Sequence, residues 1–140
     1  MFEHVGVKNY RTYMQTVHRC LCPSGRFLLH TIGTTRERGW RRSDPWIEKH
    51  IFPHSHLPAA RQISTAARGL FSIAGWQEIG AHYVPTLRAW RAKIERHWGQ
   101  LRKTRDDMFY RMWEFYLCSS AASFHVGKNT VWQFLFKPHP

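Results

Sequence analysis

His30 is the residue of this 140-residue chain with the clearest chemical opportunity. It closes the run Phe27-Leu28-Leu29-His30, follows the turn Pro23-Ser24-Gly25-Arg26 and precedes Gly33. An imidazole changes charge nearest neutral pH, so at the far end of a buried strand it can accept, hold or donate a proton. A lone histidine at a strand end is more often a structural residue satisfied by its own hydrogen bonds. Glu3 and His4 set an acid beside a second imidazole, just before Gly6. His54 and His56 form a His-x-His pair, but no cysteine or acid stands at a spacing that completes a metal shell, so they read as surface histidines. Cys20 and Cys22 are closer together than the usual zinc knuckle and read as packing residues. With Cys118 they make an odd set in a chain that opens on no charged-then-apolar leader, which predicts reduced thiols and a cytoplasmic product. No metal is expected.

The elements that must position these groups follow from pattern. A strand from Arg26 to Ile32, apolar without alternation, predicts a central strand in a covered, largely parallel sheet. Open α/β sheets bind their ligands beyond the carboxyl ends of such strands, which is where His30 would stand. Upstream, Tyr10, Tyr13, Met14, Val17 and Leu21 recur at three and four residues and predict a helix from about Val7 to Cys20. From Thr34 to Asp44, four arginines (Arg36, Arg38, Arg41, Arg42) without an apolar period predict a solvated basic loop. Asp44-Pro45-Trp46 to Phe52-Pro53 reads as a short helix or turn. A helix from Pro58 to Ala67 with Gly69 beyond it has proline at its start and glycine past its end. Leu70 to Ala74 is a second strand.

Pro85 then opens a helix with Leu87, Trp90, Ile94, Trp98 and Leu101 on one side and Arg88, Arg91, Lys93 and Arg96 on the other, broken at Gly99. Thr104 and Asp107 resemble a capping box before a helix apolar over most of its girth (Met108, Phe109, Met112, Trp113, Phe115, Tyr116, Leu117), which should be buried. Thr130 to Phe136, stopped by Pro138, is the last strand.

The length fits one domain with a moderate core. The 21 Lys and Arg against 9 acids give a net charge of +12, which draws the surface toward polyanions: nucleic acid, an anionic lipid surface or an acidic partner. A hydrophobic content of 43% excludes disorder as the reason for that charge. No run approaches the ~20 apolar residues of a membrane span.

Several motifs in order carry a family likeness. Met1 to Gly6 (MFEHVG), LxPxGxFLLHTIG from Leu21 to Gly33, Asp44-Pro45-Trp46, Ile51-Phe52-Pro53, Leu57-Pro58, Arg61-Gln62-Ile63, Tyr83 with Thr86-Leu87 and Ala89-Trp90, and the ending Leu117, Ala121, Phe124 and Trp132-Gln133 resemble the C-terminal part of the cyclopropane-fatty-acyl-phospholipid synthases. The resemblance implies an α/β fold: the C-terminal part of a doubly wound, Rossmann-like class I methyltransferase sheet, of about three strands with helices. It implies that residues 1–140 form the C-terminal portion of that methyltransferase domain. It also implies methylene transfer from S-adenosylmethionine to the cis double bond of a phospholipid acyl chain, through a carbocation that loses a proton to bicarbonate.

The positions matching the family's bicarbonate site are Glu3, His30, Tyr83 and the backbone of Ile32. His30 and Tyr83 are suited to donate to the anion, and Glu3 to orient it or share its proton. Ser120 stands where the family often has cysteine, so no catalytic thiol is assigned there. The family's glycine-rich cofactor loop, ribose-binding acid and anion-binding cysteine match nothing in this sequence, so the chain by itself is expected not to hold S-adenosylmethionine and to be inactive. Its expected partners are phospholipid acyl chains at an anionic membrane, met from the cytoplasmic side, and a separate N-terminal half. Without that half one edge of the His30 strand would be exposed. A basic lipid- or nucleic-acid-binding module without catalysis is the competing reading, and no nucleic-acid motif supports it.

Overall fold

The computed structural model describes residues 1–36 and 44–139. Within them the chain forms five α-helices and three strands, in two compact units: Met1–Ile79 with Thr130–Pro140, and Gly80–Asn129.

In the first unit the strands are β1 (Phe27–Thr34), β2 (Phe71–Glu78) and β3 (Asn129–Pro138), in the order β1-β3-β2. Strands β2 and β3 run antiparallel, with Gln77 opposite Gln133, Trp76 opposite Phe134 and an irregularity between Ile73 and Gly75. Helix α1 (Tyr10–Cys20) carries the predicted stripe: Tyr10 and Met14 are buried, with Tyr13, Val17 and Leu21 packed beside them. Helix α3 (Ala60–Ala67) adds Ile63, Ala66 and Ala67. These side chains close over Leu29, Phe71, Trp132, Phe134 and Phe136, and Phe27 stacks on Phe136 with ring centroids 5.8 Å apart.

Strand β1 departs from its prediction in two ways. It runs on to Thr34, so His30 sits at its middle rather than its far end. It is also not buried on both faces: Leu29 and Thr31 point into the core, whereas Leu28 is 56% exposed and His30 is exposed. An apolar run reports what a strand can bury. Among the described residues β1 is an edge strand, and β3 is the one with neighbours on both sides. Strand β2 extends beyond the predicted Ala74 to Glu78.

Helix α2 (Pro45–His50) is started by Asp44, whose carboxylate accepts from the amides of Trp46 (2.9 Å) and Ile47 (3.3 Å), the ordinary use of aspartate before a proline-led helix. In α3 the Gln62 side chain reaches back to accept from the Ala59 amide at 2.9 Å, and Gly69 follows the helix at a φ of +72° that favours glycine. Most of the predicted arginine loop lies outside the described residues.

The second unit is two long helices, α4 (Tyr83–Leu101) and α5 (Asp107–His125). Pro85 stands in the first turn of α4 as predicted, but Gly99 does not break it. Lacking a β-carbon, Gly99 weakens a helix interior without forbidding it. The cap of α5 is Asp106, accepting from the Phe109 amide at 2.8 Å, while the Thr104 hydroxyl donates backward to the Leu101 carbonyl at the end of α4. Nor is α5 wholly buried: Leu117 and Phe124 are, but Met108 and Phe115 are 64% and 54% exposed. Among the described residues no helix is long and apolar enough to cross a membrane.

Candidate active site

Three of the predicted residues, Glu3, His30 and Ile32, belong to the first unit. Glu3 lies in a single 3₁₀ turn, Phe2–His4, anchored by Phe2, which stacks on Tyr10 at 4.2 Å. This anchoring carries the Glu3 carboxylate to β1, where the buried Thr31 hydroxyl donates to it at 2.9 Å. The amino group of Met1 lies 3.1 Å from the same oxygen. Burial by itself would raise the Glu3 pKa, but hydrogen bonds from its own backbone, the terminal amine and Thr31 outweigh it and hold the carboxyl below its ordinary 4.5. The carboxylate in turn joins burial in raising the Tyr10 and Tyr13 phenols.

His30 and Ile32 leave β1 on the face opposite Thr31, because successive strand residues alternate. The His30 ring meets Gln133 of β3, with its Nδ1 2.9 Å from the Gln133 amide nitrogen. The Gln133 amide oxygen accepts from Gln77 of β2 at 2.6 Å. The structure therefore brings Glu3 to the stretch His30-Thr31-Ile32, but to its middle residue and from the other face, and Glu3 and His30 do not contact each other.

Tyr83 is the first residue of α4 in the second unit. It is half-buried, with its ring against Phe124 (centroids 5.0 Å) and edge-on to Trp90 (5.9 Å).

The remaining sequence candidates divide. His54 is exposed, in the left-handed region at φ 60°. His56 is not a surface histidine: its amide donates to the Glu3 carbonyl at 2.8 Å, its carbonyl accepts from Tyr10, and its Nε2 is shielded with no hydrogen-bond partner. The pattern His-x-His marked the pair but could not show that Glu3 and Tyr10 would enclose one member. Cys20, Cys22 and Cys118 are free and exposed, so Cys20 and Cys22 are not packing residues. Among the described residues no three His, Cys, Asp or Glu side chains converge on a possible metal position.

Thr31, Gln77 and Gln133 had no role in the sequence. The available signals were alternation, which sets Thr31 opposite His30, and the Trp132-Gln133 motif on the last strand.

Taken singly, an imidazole or a phenol can donate a hydrogen bond and a carboxylate can accept one. Among the described residues no strand passes through a glycine-rich turn into a helix N-terminus: the first helix after β1 is α2, led by Asp44-Pro45, and β2 is followed by a 3₁₀ turn at Gly80–His82.

Comparison with known proteins agrees with the motif order. The profile of the mycolic acid cyclopropane synthetase family matches residues 1–134. The chain belongs to this family. It is 41% identical over 136 residues to the cyclopropane-fatty-acyl-phospholipid synthase of Escherichia coli K12, covering 97% of this chain and 35% of that enzyme. It is 32% identical over 138 residues to the tuberculostearic acid methyltransferase UfaA1 of Mycobacterium tuberculosis, covering 95% of the chain and 32% of that protein. The solved cyclopropane synthase MmaA2 from Mycobacterium tuberculosis superposes with a TM-score of 0.88 at 25% identity, over 99% of this chain and 53% of that one. The chain thus spans about a third of the length of these curated relatives, and its fold is that of the class I methyltransferases.

Proposed function

We propose that this chain is the acid–base portion of a lipid-modifying methyltransferase, acting on the cis double bond of a phospholipid acyl chain. The observation that supports it most is the tie between Glu3 and Thr31, 28 residues apart in sequence, which carries a carboxylate to the strand that bears His30. S-adenosylmethionine would supply the methyl group in the complete enzyme. Among the described residues no glycine-rich turn leads into a helix N-terminus, so in this reading the binding of that cofactor falls to a separate N-terminal half.

The part assigned to this chain is to hold bicarbonate and handle the proton. In this reading His30 and the Ile32 backbone hold the anion by donated hydrogen bonds, while Glu3 and Tyr83 enter it by the family resemblance alone, Glu3 lying against the other face of β1 and Tyr83 in the second unit. The substrate is a membrane lipid. The exposed cations of α4 (Arg88, Arg91, Lys93, Arg96), with exposed Trp90 among them, are suited to the surface of an anionic bilayer at its cytoplasmic face.

The test is complementation. The 140-residue chain is mixed with the N-terminal remainder of the Escherichia coli synthase, labelled S-adenosylmethionine and vesicles of unsaturated phospholipid. Label entering lipid in the mixture, absent from either piece alone, and lost in Glu3→Gln, His30→Ala and Tyr83→Phe, supports the reading. Label with all three variants intact overturns the assigned site. Salt-sensitive binding to DNA without binding to anionic vesicles favours the non-catalytic basic module instead.

A further inference from the structure

Two side-chain amides stand in series behind His30. Gln77 and Gln133 face each other directly across the β2–β3 ladder, so backbone register sets their meeting. The Gln77 amide nitrogen donates to the Gln133 amide oxygen at 2.6 Å. That bond orients the Gln133 side chain: its oxygen is turned toward β2, and its NH₂ group is what faces β1. The NH₂ group lies 2.9 Å from His30 Nδ1. A primary amide nitrogen has two donors and no lone pair to offer, so the Nδ1 it meets must be an acceptor. In a neutral imidazole with Nδ1 bare, the proton is on Nε2.

We propose that Gln133 is a positioning residue that holds His30 in the Nε2–H tautomer, with Gln77 fixing Gln133 from behind. The chain of bonds crosses all three strands in sheet order, β2 to β3 to β1. His30 is thereby presented as a hydrogen-bond donor and not as the acceptor of the substrate proton. This deepens, and rests on, the reading of His30 as a ligand of an oxyanion: a donor imidazole suits a bound anion, and the proton taken from the lipid must then go to the anion. Gln133 touches neither substrate nor anion in this account and acts through His30 alone.

The experiment is nitrogen-15 NMR of the histidine side chains in the whole 140-residue chain at alkaline pH, with the His30 resonance assigned by its loss in His30→Asn. The expected spectrum has the Nε2–H pattern. In Gln133→Glu, nearly isosteric, a carboxylate faces Nδ1 and can only accept, so His30 should switch to the Nδ1–H form. Gln77→Leu, which frees the Gln133 amide to turn over, should give a mixture. An Nδ1–H pattern in the parent chain overturns the proposal, as does a tautomer unchanged by Gln133→Glu in a chain whose amide spectrum shows it folded. These readouts need no activity. Should the switch occur while His30→Ala leaves complemented turnover unchanged, the relay stands and the oxyanion role of His30 fails. A tautomer insensitive to Gln133 together with turnover that needs His30 removes the relay and leaves the oxyanion role of His30 in place.

Discussion

At the residue scale the most consequential contact is the Thr31 hydroxyl on Glu3. Thr31 is fully buried and the Glu3 side chain is 15% exposed, so solvent does not replace that hydrogen bond when it is lost. Thr31→Val keeps shape and removes the donor. It should cost about 1.5–3 kcal/mol in chemical denaturation, the range for a bond to a charged group, with Thr31→Ser recovering most of it.

Two groups also set a direction in pH. Burial lowers His56 from its ordinary 6.5, and the donated bonds lower Glu3 from 4.5. A depressed folded pKa gives stabilisation that is present above the unfolded value and lost as pH falls through the folded one. The thermal midpoint should therefore decline in two stages on acidification, beginning near 6.5 and again below 4.5. His56→Leu should remove the first stage and leave the second, and an unchanged profile in that variant would refute the assignment. The pairing of Glu3 with Thr31 was not legible in the sequence. Glu3 stood in the sequence beside His4, and only the stacking of Phe2 on Tyr10, a long-range packing event, turns its carboxylate to Thr31.

At the element scale, what sequence showed best is what depends on local spacing. The stripe of α1, the proline-led start of α2 and the glycine after α3 were legible because each is fixed within a turn or two of chain. The cap of α5 was not, since Thr104, Asp106 and Asp107 compete for one role and the backbone chose Asp106. Asp106→Ala should accordingly cost about 1 kcal/mol, whereas Thr104→Ala should be close to neutral. Equal effects would contradict the observed cap.

A sharper case is Gly33 on β1. A β-carbon there would collide with the indole ring of Trp132 and lie 2.5 Å from the Pro58 carbonyl. The Gly33 amide's neighbour, Thr34, donates to that same carbonyl at 3.0 Å, so the strand cannot drift away without losing a bond. Gly33→Ala should destabilise by about 1–3 kcal/mol or more and shift Trp132 fluorescence; a silent substitution would mean that β1 is not packed where the core places it. In sequence this glycine looked like punctuation after a strand, when in fact it lies inside one.

At the scale of the whole molecule, the charge and the open sheet pull in opposite directions. Among the described residues nothing pairs along the outer edge of β1 apart from one bridge between Thr34 and Ala59. Leu28, Ile73, Trp76 and Leu135 on the three strands are exposed as well. An unpaired edge bordered by apolar side chains is a template for association. The net charge of +12 opposes it through long-range repulsion, but that repulsion is screened over about 10 Å at 0.1 M salt and about 3 Å at 1 M. The chain should therefore scatter as a monomer at low ionic strength and associate as salt rises, the reverse of an assembly held by ion pairs. Leu28→Lys places a charge beside the open edge and should move that onset to higher salt. Light scattering across a salt series decides it: association that weakens with salt, or a Leu28→Lys chain that behaves as the parent does, would show that the open edge of β1 is not what drives it.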